Sequence, residues 1–168
     1  SFFYLSVKGN MLSGVMIPSP EARVIPNLDP GSDPIDQDPI DIVDPISDPT
    51  DPPPLPELYG EDVIYVFLDT NGDVPYGFKV NDSFYANQLI EIRGQHGLIL
   101  SSELYDYSST DSMEVWHWTL NRPVFSAAAG GELEFMVFGL GSQFKSYFHL
   151  ISWDYSEDYS DGFWVTTG

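Results

Sequence analysis

The sequence contains no cysteine among its 168 residues. Disulfide bonds, thiolate metal sites and cysteine nucleophiles are therefore excluded, and the redox compartment stays undetermined. Basic residues are also scarce, because six Lys and Arg oppose 26 Asp and Glu and leave a formal net charge of -20. A surface this negative repels phosphate groups, so we expect no binding to nucleic acid or to an anionic membrane. The acidity favours cations, either calcium or a high-salt medium.

Long hydrophobic runs are missing as well. No stretch of 18 or more apolar residues occurs, so we expect no insertion into a membrane. The chain starts at Ser1 without a basic segment before its first apolar stretch, which is typical of a mature chain that has lost a targeting peptide, or of a fragment. Hydrophobic residues make up 42% and aromatic residues 15%, so a packed core is expected, and the length suits one domain plus a tail.

Signatures of catalysis are lacking too. His96, His117 and His149 do not have the spacing of a metal-binding motif, and the chain has no nucleophile elbow, phosphate loop or dinucleotide fingerprint. Glu132 and Glu134 share one face of a predicted strand, but neighbouring carboxylates are expected by chance among 26 acids. We therefore expect a binding or structural role and no enzymatic activity.

The chain divides into three parts, of which residues 1–17 are the first. Apolar and β-prone residues alternate there, and Gly9-Asn10 suits a two-residue turn. A segment this small does not fold alone, so it must pack against another surface. We predict that it is a donor strand that inserts into a sandwich. Its predicted anchors are Phe2, Phe3, Tyr4, Leu5, Val7, Leu12, Val15 and Ile17.

Residues 18–56 differ sharply, since they hold 12 of the 14 prolines and the dipeptide Asp-Pro occurs there six times. Proline removes backbone donors and like charges repel, which favours an extended polyproline-II strap at roughly 3.1 Å per residue. Isoleucines interrupt the acidic pattern and are predicted to anchor the strap to a protein surface. These strap anchors are Ile35, Ile40, Ile42 and Ile46. A flexible low-complexity linker remains the alternative.

Residues 57–168 have the pattern of an all-β domain. Short alternating or apolar runs are separated by turn residues, and no helical stripe is evident, which predicts an antiparallel β-sandwich of the jelly-roll or immunoglobulin-like kind. The predicted strands are Val63–Leu68, Phe84–Arg93, Leu98–Tyr107, Met113–Leu120, Pro123–Ala128, Glu132–Phe138, Phe144–Trp153 and Gly162–Thr167.

Five segments in this domain carry a resemblance to a known group of folds. They are VIYVFLDTNGDVPYG, FYANQLIEIRG, LYDYSSTDSMEVWHW, AAAGGELEFMV and LISWDYSEDYSDGF. In this order they resemble the DOMON-like and carbohydrate-binding-module-family-9-like sandwiches of extracellular proteins. The resemblance covers about two-thirds of the chain. It implies a sandwich fold, an extracellular setting and, in some members, sugar or cation binding.

Two acidic regions are candidate calcium sites. Asp69, Asn71 and Asp73 place oxygen-bearing side chains at alternate positions of a tight loop, and calcium accepts such flexible oxygen ligands. An ordinary Asn-Gly hairpin turn with solvated aspartates explains the same residues. The second cluster comprises Asp154, Glu157, Asp158 and Asp161.

The sequence has candidate residues both for binding a sugar and for covalent glycosylation. Trp116, Trp118 and Trp153 are candidates for stacking on sugars, although one face of every sandwich strand is buried and aromatics commonly fill that core. Asn81 begins the sequon Asn-Asp-Ser in a predicted turn, which is compatible with surface glycosylation of a secreted protein.

Together these features predict a subunit of an extracellular, pilus-like fibre at a cell surface. The N-terminal segment would fill a groove in the next copy, so the partner would be the protein itself in a head-to-tail homopolymer. The alternatives are a carbohydrate-binding module and a calcium-dependent surface adhesin on an acidic linker.

Overall fold

In the computed structural model, residues 1–6, 12–14, 60–72, 75–108 and 113–166 are described. They contain no helix, and therefore none long and apolar enough to cross a membrane. Twelve strands are present among them, and every strand pair is antiparallel. The strands are β1 (Phe2–Ser6), β2 (Asp62–Asp69), β3 (Phe78–Asn81), β4 (Phe84–Ala86), β5 (Gln88–Gln95), β6 (Leu98–Tyr107), β7 (Trp118–Pro123), β8 (Phe125–Ala129), β9 (Glu132–Met136), β10 (Gln143–Ile151), β11 (Glu157–Tyr159) and β12 (Phe163–Thr166).

The strands form three sheets. The large sheet has the order β11-β10-β2-β5-β6-β7, and β12 also pairs with β10. The small sheet has the order β1-β9-β8, and β3 and β4 form a separate hairpin. The predicted antiparallel β-sandwich is therefore confirmed, including a strand in the N-terminal segment.

Strand β2 lies at the centre of the large sheet and is buried on both faces. Its apolar run from Val63 to Leu68 does not alternate with polar residues, because one set of side chains enters each of two cores. The first core lies against the small sheet and contains Phe3, Leu12, Ile64, Val66, Leu68, Ile90, Ile92, Leu104, Val124, Leu133, Phe135, Val137, Phe144 and Phe148. The second core contains Val63, Tyr65, Phe67, Phe78, Phe84, Ala86, Leu89, Tyr107 and Ile151.

One side of the sandwich is closed by continuous chain. The backbone passes from β7 in the large sheet to β8 in the small sheet at Val124. The Val124 side chain is buried, and its N–H donates to the Ser102 carbonyl at 2.9 Å. The chain therefore changes sheets at a buried, hydrogen-bonded residue. At the opposite side, β1 lies near β10, β11 and β12, with a groove among them.

Two strands predicted from the sequence differ from the structure. The run predicted as one strand, Phe84–Arg93, divides at Asn87, whose side chain accepts from the Thr70 N–H at 2.8 Å and donates to Thr70 Oγ1 at 2.7 Å. Those bonds hold the chain where it leaves the β3-β4 hairpin for the large sheet. Gly77 packs against this hairpin at a φ of 126°, where a Cβ would lie 2.2 Å from the Ala86 carbonyl oxygen.

The second difference concerns Met113–Leu120, which becomes a strand only from Trp118. The preceding residues form turns held by two longer-range bonds. Lys79 N–H donates to the Met113 carbonyl at 2.6 Å, and the Tyr107 hydroxyl donates to the Val115 carbonyl at 3.0 Å. These contacts place the turns beside the second core.

Candidate functional site

The first strand of the chain completes the small sheet. β1 pairs with β9, and Ser1 extends the ladder by exchanging two hydrogen bonds with Val137. The N-terminal ammonium donates to the Val137 carbonyl at 2.6 Å, and Val137 N–H donates to the Ser1 carbonyl at 2.9 Å. A strand from the start of the chain therefore covers an edge that β9 would otherwise expose.

Phe3 anchors this strand in the first core. Its ring stacks on Phe135 with centroids 4.7 Å apart and planes 8° apart, and it tilts against Phe144 at 5.8 Å. Only 7% of Phe3 is exposed, whereas 65% of its neighbour Phe2 is exposed. Successive side chains of β1 therefore point alternately into the core and toward solvent.

A second contact of the N-terminal segment lies at Leu12–Gly14. Leu12 is 1% exposed, and its carbonyl accepts from the Gly97 N–H at 2.7 Å. Gly14 accepts from the His96 N–H at 2.9 Å and donates to Asp62 Oδ2 at 3.0 Å. The β5-β6 turn and the start of β2 thus hold this short stretch against the sandwich.

The predicted donor-strand anchors fall into three groups. Phe3 and Leu12 lie in the first core and Leu5 packs partly buried against it, while Phe2 and Tyr4 are exposed. Tyr4 donates its hydroxyl to Glu132 Oε1 at 2.8 Å, and this bond raises the pKa of Tyr4. The remaining anchors, Val7, Val15 and Ile17, lie outside the described residues.

The open side of the sandwich holds a groove of about 1010 Å³. β1 forms one wall, and β10, β11 and β12 form the other. The apolar side chains that line it include Phe3, Leu5, Phe148, Leu150 and Val165. Asp62, Glu157 and Asp158 also line it, and no Lys, Arg or His is found among the described lining residues. The groove therefore combines an apolar interior with negative charge.

Strand β11 is fastened to β10 by a polar cluster that the sequence did not reveal. His149 Nε2 lies 2.7 Å from Glu157 Oε2, and its ring stacks on Tyr159 with centroids 4.3 Å apart. The Tyr159 hydroxyl also donates to Glu157. Alternation predicts the face of His149, but not the return of a three-residue strand beside it.

The pKa values of this cluster are shifted by its own contacts. Burial lowers the pKa of His149, although the bond to Glu157 opposes that shift. Hydrogen bonds from Tyr159 and His149 lower the pKa of Glu157, and the bond to Glu157 raises the pKa of Tyr159 to about 12. Near neutral pH, Glu157 is therefore a carboxylate, and the hydrogen bonds from Tyr159 and His149 stabilise that charged form.

The predicted calcium loop is described only in part, because Asp73 lies outside the described residues. Asp69 is 3% exposed, and its Oδ1 accepts from the Asn71 N–H at 3.1 Å, as in an Asx turn. The Asn71 Oδ1 is buried without a hydrogen-bond partner. Within the described ranges, no three His, Asp or Glu residues come together as a metal site would require. Calcium binding stays a prediction.

The predicted sugar-stacking tryptophans have different surroundings. Trp118 packs against Tyr107 at 5.1 Å in the second core, while Trp116 meets Phe78 edge-on at 5.1 Å and is 38% exposed. The rings of Trp116 and Trp118 are 73° apart, so they do not form one flat platform. Trp153 lies in the β10-β11 turn and is 36% exposed.

The sequon lies at the exposed tip of the β3-β4 hairpin. Asn81 is exposed, and its Oδ1 accepts from the Ser83 N–H at 2.9 Å and from the Ser83 hydroxyl at 3.0 Å. Its accessibility is compatible with the predicted glycosylation. The strap anchors Ile35, Ile40, Ile42 and Ile46 lie outside the described residues.

Comparisons of the chain with protein-family models, with curated proteins and with solved structures gave no match. The resemblance to DOMON-like and carbohydrate-binding-module-family-9-like sandwiches therefore stays an expectation drawn from the sequence pattern.

Proposed function

We propose that the protein is a structural subunit of an extracellular, pilus-like filament at a cell surface. Subunits assemble head-to-tail, and β1 of one copy occupies the position beside β9 in the next copy. The observation that supports this proposal is the pairing of β1 with β9, in which a strand from one end of the chain completes a sheet built by a distant hairpin.

The contact has the properties of strand addition. Main-chain pairing provides affinity, and side chains at alternate positions provide specificity. Phe3 supplies such a side chain, since its ring fills a place between Phe135 and Phe144. Without β1, the β9 strand becomes an edge with unpaired backbone groups above an opened core. An empty position is therefore unfavourable, and some copy of β1 is expected to fill it.

The connection between β1 and the remainder of the sandwich makes exchange between copies feasible. In the single chain β1 and residues 12–14 lie against their own sandwich, and 45 residues separate Gly14 from Gly60. Loop closure over such a length is entropically costly, and the effective concentration of a tethered strand falls as its linker lengthens. The same surfaces meet whether the strand belongs to the same chain or to a neighbour. A heterologous contact that does not close on itself produces a filament.

Paired substitutions on β1 test the proposal. Phe3→Asp places a charge in the core position, whereas Phe2→Asp places the same charge on the exposed face of the same strand. We expect the full-length wild type and Phe2→Asp to form filaments visible by electron microscopy, and Phe3→Asp to form none. Added peptide of residues 1–17 should cap growth of the wild type.

Three results would contradict the filament. The first is a wild-type chain that stays monomeric at all concentrations. The second is a wild type that stops at closed reciprocal dimers. The third is a Phe3→Asp variant that still forms filaments.

Carbohydrate binding is the second candidate, and the exposure of Trp116 and Trp153, 38% and 36%, favours it. A glycan array probed with the full chain tests this candidate. Binding that is lost in Trp116→Ala or Trp153→Ala, with unchanged unfolding, supports a sugar-binding module. Loss only in Trp118→Ala, whose ring lies in the second core, would indicate misfolding instead.

A further inference from the structure

The hydrogen-bond pattern of β1 defines which of its backbone groups face the groove. Ser1 and Val137 exchange both of their hydrogen bonds, so they form a hydrogen-bonded pair of the antiparallel ladder. Such pairs alternate with non-bonded pairs along the strands. Phe3 and Leu5 therefore bond to β9, whereas Phe2, Tyr4 and Ser6 direct their N–H and C=O groups away from it.

That second edge of β1 is unpaired in the described part of the chain. β1 ends the order β1-β9-β8, and Phe2, Tyr4 and Ser6 are among the residues that line the groove. Three donors and three acceptors are thus presented beside an apolar interior. A further strand laid there would pair with β1, and its alternate side chains would enter the groove near Phe148 and Val165.

The negative charge of the groove indicates which kind of segment would bind there. Asp62, Glu157 and Asp158 line it, no basic side chain is found among its described lining residues, and the whole chain carries a net charge of -20. An acidic segment is disfavoured by this field, and a cationic segment is attracted. We propose that the groove is a strand-addition site for an extended, cationic segment of another polypeptide. That segment pairs with the outer edge of β1.

This site is distinct from the donor-strand contact proposed above, which uses the opposite edge of β1. Proline substitutions separate the two edges. Proline removes one N–H and is tolerated on a strand where that N–H does not bond within the sheet. Tyr4→Pro therefore removes an outward N–H and keeps the β9 ladder, whereas Phe3→Pro removes a bond to β9. Tyr4→Ala is the control for loss of the tyrosine side chain.

The probe is a fluorescent synthetic peptide of alternating valine and threonine with lysine pairs at both ends. Fluorescence anisotropy measures its binding to the full-length protein. We expect saturable binding that Tyr4→Pro weakens roughly tenfold and Tyr4→Ala changes less than about twofold, because only proline removes a backbone donor. A peptide with glutamates in place of the lysines should bind at least roughly tenfold more weakly at low salt.

Amide hydrogen exchange identifies the binding mode. On addition of the lysine peptide, the Tyr4 and Ser6 amides should become protected, while the already bonded Phe3 and Leu5 amides should change little. Absence of peptide binding, equal binding of both peptides, or binding without protection of Tyr4 would overturn the proposal.

Exchange in the free protein distinguishes the other occupants. Protection of the Tyr4 amide that grows with protein concentration would assign the groove to a second copy. Protection that is complete and independent of concentration would assign it to this chain itself. Either result would overturn the proposal, and neither depends on whether Phe3→Asp abolishes filaments.

Discussion

The two sides of the sandwich are closed in different ways. On one side the chain runs directly from β7 to β8 through Val124, so closure is covalent and local in sequence. On the other side β1 arrives from the far end of the chain and leaves a groove beside β10. The first arrangement fixes the fold of one molecule. The second is a non-covalent insertion, which is the kind of contact that copies can exchange.

The largest expected effect is that of Phe3→Ala on the open side. Truncation removes a buried aromatic ring that contacts Phe135 and Phe144, and such changes cost about 3–5 kcal/mol. Val124→Ala on the closed side removes less buried surface and should cost about 2 kcal/mol. Chemical denaturation measures both free energies of unfolding.

Hydrogen exchange sharpens this first comparison. Phe3→Ala should release the β1 amides to exchange while the β2 and β5 amides stay protected. Val124→Ala should leave β1 protected. Equal loss of protection throughout the sandwich in both variants would contradict this comparison. It would show that β1 does not detach independently of the remaining strands.

A smaller effect is expected where Leu12 docks. A Cβ added at Gly94 would lie 2.6 Å from Leu12 Cδ1 and 2.6 Å from the Leu98 carbonyl oxygen. Gly94→Ala should therefore push against both the Leu12 side chain and the Leu98 backbone, and lower the free energy of unfolding by about 1–3 kcal/mol. Gly141→Ala is the matched control, because its nearest neighbour would be 3.8 Å away. Equal stability of both variants in thermal denaturation would contradict the docking of Leu12 at this turn.

A still smaller effect concerns acid and the strand β11. Burial lowers the folded-state pKa of His149, so the folded protein binds this proton less readily than the unfolded chain. Stability should therefore fall as the pH drops below about 6.5, the ordinary His value. The folded-state pKa of Glu157 is also lowered, so its contribution is lost as the pH falls below about 4.5.

His149→Gln tests whether the lowered pKa of His149 makes the folded protein less stable in acid. Urea unfolding at pH 7.5 and pH 5.5 should show a smaller decrease for the variant than for the wild type. A larger decrease in the variant would mean that the bond to Glu157 outweighs burial and that the His149 pKa is raised. The control is His117→Gln, because His117 is exposed and precedes β7, which lies at the opposite edge of the large sheet from β11.

The smallest effect is expected from chelation of calcium. A filament held by main-chain pairing should survive a chelator such as EDTA, because its junctions require no metal. Electron microscopy before and after treatment measures this. Disassembly that is reversed by calcium but not by magnesium would support the calcium-dependent adhesin and direct attention to the loop of Asp69 and Asn71.

Side-chain alternation predicted much of the fold, because it identifies faces and turns. It did not predict which strands pair with one another or which side chains meet across the fold. The apolar run of β2 predicted that the strand is buried, but not that two separate cores cover it. The sequence of a fully buried strand is the same kind of apolar run whichever elements pack on its two faces. The division of Phe84–Arg93 depends on bonds between Asn87 and Thr70, which are distant in sequence.

The candidate site shows the same limit. Residues 1–6 were recognisable as an unsatisfied strand because they are apolar, alternating and too short to fold alone. Their pairing with β9 arises from register and from the fit of Phe3 against Phe135, which no local pattern encodes. The groove and the His149–Glu157 contact arise from the return of β11 and β12 to one strand.

The double burial of β2 links the two cores through one backbone. Ile64 and Val66 touch the core that Phe3 enters, while Tyr65 contacts Trp116 on the other face at 5.3 Å. A small displacement of this strand on departure of β1 is expected to alter the surroundings of the indole ring behind it. We therefore expect intrinsic tryptophan emission to change when β1 leaves its place beside β9, a change that is readable in solution without any attached label.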